Sequence, residues 1–111
     1  MNDINQTVVS GRLTRDGETK FTSGGTAVGS FSLAVNRSYK KGDEWVEEEP
    51  TYVDCTAWGK LAEACGKLTK SAAVVVIGRI KQDRWQDKDG GPRSKLYVVA
   101  ERVERVARGE E

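Results

Sequence analysis

Residues 51–63 read Thr51-Tyr52-Val53-Asp54-Cys55-Thr56-Ala57-Trp58-Gly59-Lys60-Leu61-Ala62-Glu63, and the alternation that ends at Trp58 decides how the chain folds. A β-strand sends successive side chains to opposite faces. Tyr52, Asp54, Thr56 and Trp58 therefore share one face, while Val53, Cys55 and Ala57 form a small-to-medium core face behind it. The first face mixes two aromatic rings with polar groups, which a core face rarely does. Flat rings on a polar sheet surface suit the stacking of nucleobases. A ring that only covers the end of a barrel would occupy the same position.

Upstream, Ala27 to Arg37 alternates as a second strand, with Phe31, Leu33 and Val35 on one face and Ser30, Ser32, Ala34 and Asn36 on the other. Thr7 to Arg15 reads as the first strand, with Gly11 as a bend or bulge. Asp16-Gly17 is a turn signal, Glu18 to Thr22 a short extended continuation, and Ser23-Gly24-Gly25 a second turn. The polar stretch Ser38 to Pro50 is expected to be a mobile loop. Downstream, Leu61, Ala64, Cys65 and Leu68 carry the apolar spacing of a short helix over Lys60–Thr69. Val74 to Trp85 is a fourth strand, with Val74, Val76, Gly78 and Ile80 on one face; Asp87 to Pro92 is a hairpin tip and Lys95 to Val106 a fifth strand.

Three strands, one short helix and a closing hairpin predict an all-β fold with one short helix. Its expected form is a five-stranded Greek-key barrel of the OB type, with the helix between strands three and four. The competing arrangement, an open sheet, would be poorly covered by so short a helix. At 111 residues there is room for one domain, assigned to residues 1–106, followed by a short polar tail over 107–111.

Composition narrows the function. The chain has no histidine and two cysteines, which excludes the usual zinc sets of about four ligands and all imidazole-based catalysis. Asp54 and Cys55, adjacent on a strand, face opposite ways and cannot cooperate, so no enzyme is expected, and no cofactor or metal. Cys55 and Cys65 read as two reduced thiols rather than a disulfide. The longest apolar run, Ala72 to Ile77, is too short to span a bilayer, and no basic-then-apolar leader opens the sequence, so a cytoplasmic location without membrane partners is expected. Net charge is only +1, but its distribution is uneven. Residues 43–54 hold Asp43, Glu44, Glu47, Glu48, Glu49 and Asp54 with no base, whereas bases outnumber acids in residues 1–42 and 78–95. Local fields of this kind steer charged ligands more than the total does.

The segments that carry these features also resemble, in order and spacing, the bacterial single-stranded DNA-binding proteins of the homotetrameric, one-OB-domain kind. The carriers are Val8-Val9-Ser10-Gly11-Arg12-Leu13-Thr14-Arg15-Asp16, Gly24-Gly25-Thr26-Ala27-Val28 leading into Phe31-Ser32-Leu33-Ala34, Trp58-Gly59-Lys60-Leu61-Ala62-Glu63, Gly78-Arg79-Ile80 and Arg84-Trp85-Gln86-Asp87. The resemblance runs from about Asn5 to Val106.

It implies base stacking at positions matched here by Tyr39, Tyr52, Trp58 and Trp85, all aromatic although ring types are exchanged. It implies phosphate contacts from Lys20, Lys60, Arg84 and Lys88, with Arg37, Lys40, Lys81 and Arg93 nearby; Arg84 beside Trp85 is the leading candidate for a joint grip on phosphate and base. It further implies a nucleoid-associated protein that protects exposed strands in DNA replication, recombination and repair, assembled as a dimer of dimers. Apolar residues fill both faces of Val74 to Ile77, so Val75 and Ile77 are candidate interface residues. Trp45 has no counterpart and is expected to pack the acidic loop onto the barrel; Phe31 and Tyr97 read as core or interface rings, and Phe21 is undecided.

Many members continue into a flexible linker and an acidic tip that recruits replication and repair proteins. The resemblance here is to the core domain without that tail, the sequence ending Arg108-Gly109-Glu110-Glu111, so such partners are expected only where a tail exists. Two other readings stand beside this one: a short primosomal-type OB accessory protein that also binds single strands, and an oligomeric protein-interaction module whose rings only pack subunits.

Overall fold

Five strands close into a ring because one of them, β1, pairs on both edges. The computed structural model describes residues 1–106; the polar tail expected over 107–111 lies outside the described residues. The elements are β1 (Thr7–Leu13), β2 (Glu18–Phe21), β3 (Ala27–Val35), β4 (Ser38–Lys41), β5 (Glu44–Glu47), β6 (Thr51–Trp58), α1 (Lys60–Cys65), β7 (Ala73–Gln86) and β8 (Pro92–Arg105). The main sheet runs β1-β7-β8-β6-β3-β2, and the additional β1–β3 pairing closes it. The element order and the barrel are those expected of an OB fold.

At the closure Arg12 is paired with Ala73 of β7 on one side and Ala34 of β3 on the other. Gly11 sits where this crossing is tightest: a Cβ there would lie 2.5 Å from the Ala34 carbonyl oxygen. The expected bend is thus a close approach of backbones. Strand β2 pairs with the first half of β3 and β1 with the second half, so β1 and β2 act as one strand broken at Thr14–Gly17.

The alternation read from the sequence places the core. Phe31, Leu33, Cys55, Ala57, Val74 and Val76 are buried inside the ring. Helix α1 plugs one end through Ala62 and Cys65, and it lies so close to β3 that a Cβ on Gly29 would stand 2.8 Å from the Ala62 carbonyl oxygen. A helix of six residues has little stability of its own and depends on this packing.

Two expectations are corrected. The helix ends at Cys65 rather than Thr69, and Ala62 is buried where Ala64 was expected. Gly66 packs against Thr19, and the chain then turns through a Leu68 N–H to Cys65 C=O bond, so the stripe cannot continue. The stretch Ser38–Pro50 is not simply a loop: it contains the hairpin β4–β5, joined by Gly42 and Asp43. Gly42 has φ +63°, which a two-residue hairpin loop with glycine first requires. This hairpin forms a separate two-stranded sheet.

Candidate nucleic-acid interface

Strand β6 lies beside β3 in a register that builds a polar outer face. Tyr52 is opposite Ala34, Asp54 opposite Ser32, Thr56 opposite Ser30 and Trp58 opposite Val28. Tyr52 is 68% exposed and Trp58 51%, so both rings lie open, as the alternation predicts. Lys20 of β2 is paired with Val28 on its other side, giving a row Lys20–Val28–Trp58 across three strands. That row puts a cation on the same sheet face as the Trp58 ring, two strands away.

The β7–β8 hairpin extends beyond the barrel and forms the second wall. Trp85 pairs with Arg93, Asp83 with Lys95 and Lys81 with Tyr97. These six side chains share one face by the alternation rule. Arg84 pairs with Ser94 and belongs to the opposite face, where its guanidinium donates to Gln82 Oε1 at 2.6 Å. The expected joint grip of Arg84 and Trp85 is therefore corrected: neighbours in a strand diverge, and the cation beside the Trp85 ring is Arg93. Arg93 Nε donates to Asp87 Oδ2 at 3.1 Å, while Asp87 Oδ1 accepts from the N–H groups of Asp89 and Gly91. These bonds, that from Gly91 first and Arg93 next, hold the Asp87 carboxyl below its ordinary pKa.

Between the two walls runs a groove of about 330 Å³ lined by Arg15, Ser30, Asp54, Thr56, Trp58, Asp83, Lys95 and Tyr97, among others. Lys95 Nζ reaches across it to Asp54 Oδ2 at 2.5 Å. Ser32 Oγ donates to Asp54 Oδ1, so both carboxylate oxygens are held. The bonds from Lys95 first and Ser32 next hold the Asp54 carboxyl below its ordinary pKa. Tyr97 Oη donates to Asp83 Oδ1, and burial, then this bond, raises the Tyr97 pKa.

On the other side of the Asp54–Lys95 pair is a more apolar hollow of about 410 Å³, bordered by Tyr52, Ile80, Leu96 and Val98. A third, of about 490 Å³, surrounds Trp85 at the hairpin tip, between Arg84 and Arg93. Trp58, Tyr52 and Trp85 thus each open onto a concave surface with a cation at its border.

The other expected residues are more scattered. Tyr39 is 42% exposed on β4, opposite Val46 and outside the main sheet. Lys40 is on the same strand, Arg37 at the base of that hairpin, Lys60 at the first position of α1, and Lys88 in the β7–β8 turn; all are exposed. Lys81 lies on the Trp85 face. Val75 and Ile77 are half-buried; Ile77 is directly across from the exposed Val8 on one side and Arg102 on the other, with Arg102 bonded to Glu104 at 2.6 Å. Sequence reasoning missed Arg15, Lys95, Asp83 and the groove role of Tyr97. Only the hairpin register, which can be counted outward from the Asp87–Gly91 turn, signals Lys95.

Neither cysteine offers chemistry to this surface. Both are buried free thiols, and burial pushes Cys55 up to about 12 and Cys65 up to about 11. A thiol held that high is protonated and a poor nucleophile at neutral pH. Trp45 is 69% exposed on β5, so it does not pack its hairpin onto the barrel as expected. Phe31 is core, and Phe21 is exposed on β2.

A model of the single-strand binding protein family matches residues 4–106. The chain is 44% identical over 111 residues to the single-stranded DNA-binding protein of Borreliella burgdorferi (strain B31), covering 98% of this chain and 74% of that one. It is 44% identical over 105 residues to the protein of the same description in Treponema pallidum (strain Nichols), covering 94% and 58%. For the Deinococcus radiodurans protein, again of that description, the figures are 42% over 106 residues, 96% and 35%. The chain therefore spans between 35% and 74% of the length of these relatives. Among solved structures, the wild-type single-stranded DNA-binding protein from Thermus aquaticus superposes with a TM-score of 0.76 at 34% identity, over 97% of this chain and 43% of that one.

Proposed function

The chain belongs to the single-strand binding protein family, and from that premise we propose that it binds single-stranded DNA with little sequence preference. The observation that carries the reading is the pair of open rings Tyr52 and Trp58 on a polar sheet face, with Trp58 bordering a groove whose other wall, at Asp83, Lys95 and Tyr97, belongs to the hairpin face that also carries Trp85 and Arg93. Every base has a π face, so such platforms accept any sequence. Trp58, Tyr52, Trp85 and Tyr39 stack bases; Lys20, Lys81 and Arg93 meet phosphates next to those rings, and Arg37, Lys40, Lys60, Arg84 and Lys88 do so around them. The domain responsible is residues 1–106.

Protection of exposed strands in replication, recombination and repair follows from binding of this kind, in the cytoplasm and on the nucleoid. Binding does not require catalysis, and we assign the protein none. Copies associate through the apolar row of Val8, Val75 and Ile77 into a homotetramer. Recruitment of replication and repair proteins requires an acidic tail.

The test is a titration with oligo-dT followed by tryptophan emission at low and high salt. Quenching with salt-sensitive affinity supports the reading. Absence of binding at low salt would overturn it and leave the rings to subunit packing.

A further inference from the structure

The β4–β5 hairpin presents a ring on each side. Tyr39 is opposite Val46, and Trp45 is opposite Lys40, so alternation sends the Trp45 ring and the Lys40 ammonium to one face and Tyr39 to the other. Trp45 is the most exposed tryptophan of the chain, at 69%. The hairpin forms a sheet of its own, and a two-stranded ribbon of this size is only marginally stable in water. A large apolar ring left mostly open on such an arm buries little surface in the fold.

We infer that Trp45, with Lys40 across from it, is a further stacking platform for single-stranded DNA, on the side of the arm opposite Tyr39. The inference rests on the function proposed above. The charges of the arm set the direction of approach. Acidic residues lie along β5 and the turn, at Asp43, Glu44 and Glu47, while β4 carries Lys40 and Lys41. Glu44 is paired with Lys41 on the Tyr39 side. Glu47 shares the Trp45 face and would repel a phosphate passing along β5. A base can therefore lie on the Trp45 ring only with its backbone on the β4 side, against Ser38 and Lys40. Strand bound there is additional to that held in the barrel groove.

The experiment uses the full chain with Trp58→Phe and Trp85→Phe, which leaves Trp45 as the sole tryptophan while keeping rings at both positions. It is titrated with an oligo-dT longer than the roughly 16 nucleotides that one OB barrel holds at most. Binding is followed separately by the anisotropy of a label on the DNA. Quenching of Trp45 on binding is the expected result. Trp45→Ala in the otherwise native chain is expected to weaken affinity at least about fivefold, with Trp45→Phe restoring most of it. Lys40→Ala should make the log–log salt slope shallower by about 0.7.

If the DNA binds while Trp45 emission is unmoved and Trp45→Ala binds as the native chain does, the inference falls and the function stands. If Trp45 emission changes with protein concentration alone and is then blind to DNA, the ring lies between copies and the inference falls. If the native chain binds no DNA at all, the proposed function falls first.

Discussion

Arg93 lies directly across from Trp85 in the β7–β8 ladder, while Arg84, its neighbour in sequence, faces the other way. Proximity along a strand separates side chains; proximity across a ladder joins them. The residue that can hold a phosphate beside the Trp85 ring therefore comes from the returning strand. Its guanidinium is oriented by Asp87, which is itself fixed by the N–H groups of the turn.

Arg93→Ala is accordingly expected to weaken oligo-dT binding more than Arg84→Ala. Loss of one phosphate contact should make the log–log salt slope shallower by about 0.7 for Arg93→Ala. Anisotropy titrations at several salt concentrations compare the two. Equal losses, or a larger one at Arg84, would place the DNA on the other face of the hairpin.

Tyr52→Ala and Trp58→Ala remove exposed rings, so they should leave the unfolding midpoint nearly unchanged. Each is expected to cost about 1–3 kcal/mol of DNA binding. Urea unfolding and oligo-dT titration of the same samples separate the two effects. A variant that loses stability with affinity would show that its ring packs rather than stacks.

The Asp54–Lys95 pair ties the hairpin to the barrel, and Asp54 has a lowered pKa in the folded protein. A depressed carboxyl stabilises the fold fully above its unfolded value. That contribution declines as pH falls below the ordinary 3.8 and is gone below the depressed native value. Asp54→Asn should thus be less stable than the native chain at neutral pH, with the gap closing in strong acid. The gap will be modest, since both side chains are about half exposed and solvent screens the pair. Thermal unfolding from neutral pH to below 3 measures it; a gap that widens in acid would contradict the assignment.

Gly29→Ala puts a Cβ 2.8 Å from the Ala62 carbonyl oxygen and 2.9 Å from its Cα, both backbone atoms of the helix. The helix has to move off the barrel end, at a cost of about 1–3 kcal/mol. Urea unfolding would register it as a lower midpoint. An unchanged midpoint would mean that α1 shifts freely and contributes little.

The faces of Tyr52, Trp58, Cys55 and Ala57, and the core positions of Phe31 and Leu33, were legible in the sequence. The two-residue period of a strand is local, and each residue carries its own direction. The hairpin inside Ser38–Pro50 was overlooked because its charges resemble a loop, although Gly42-Asp43 between Tyr39 and Val46 is a turn signal. The overlong helix came from a periodicity that continues past the point where Gly66 meets Thr19.

By itself, then, the sequence determined the strands of the barrel, their inner and outer faces, the order in which they close it, and the family. Only the tertiary structure decided which distant residues meet. It sets Lys20 in a row with Trp58, brings Lys95 to Asp54 and Arg93 to Trp85, and turns Trp45 and Tyr39 to opposite sides of one arm. The physical reason is that side-chain direction follows from the backbone of a single strand. Register between segments far apart in the chain is set by how their core faces pack and where the turns return them.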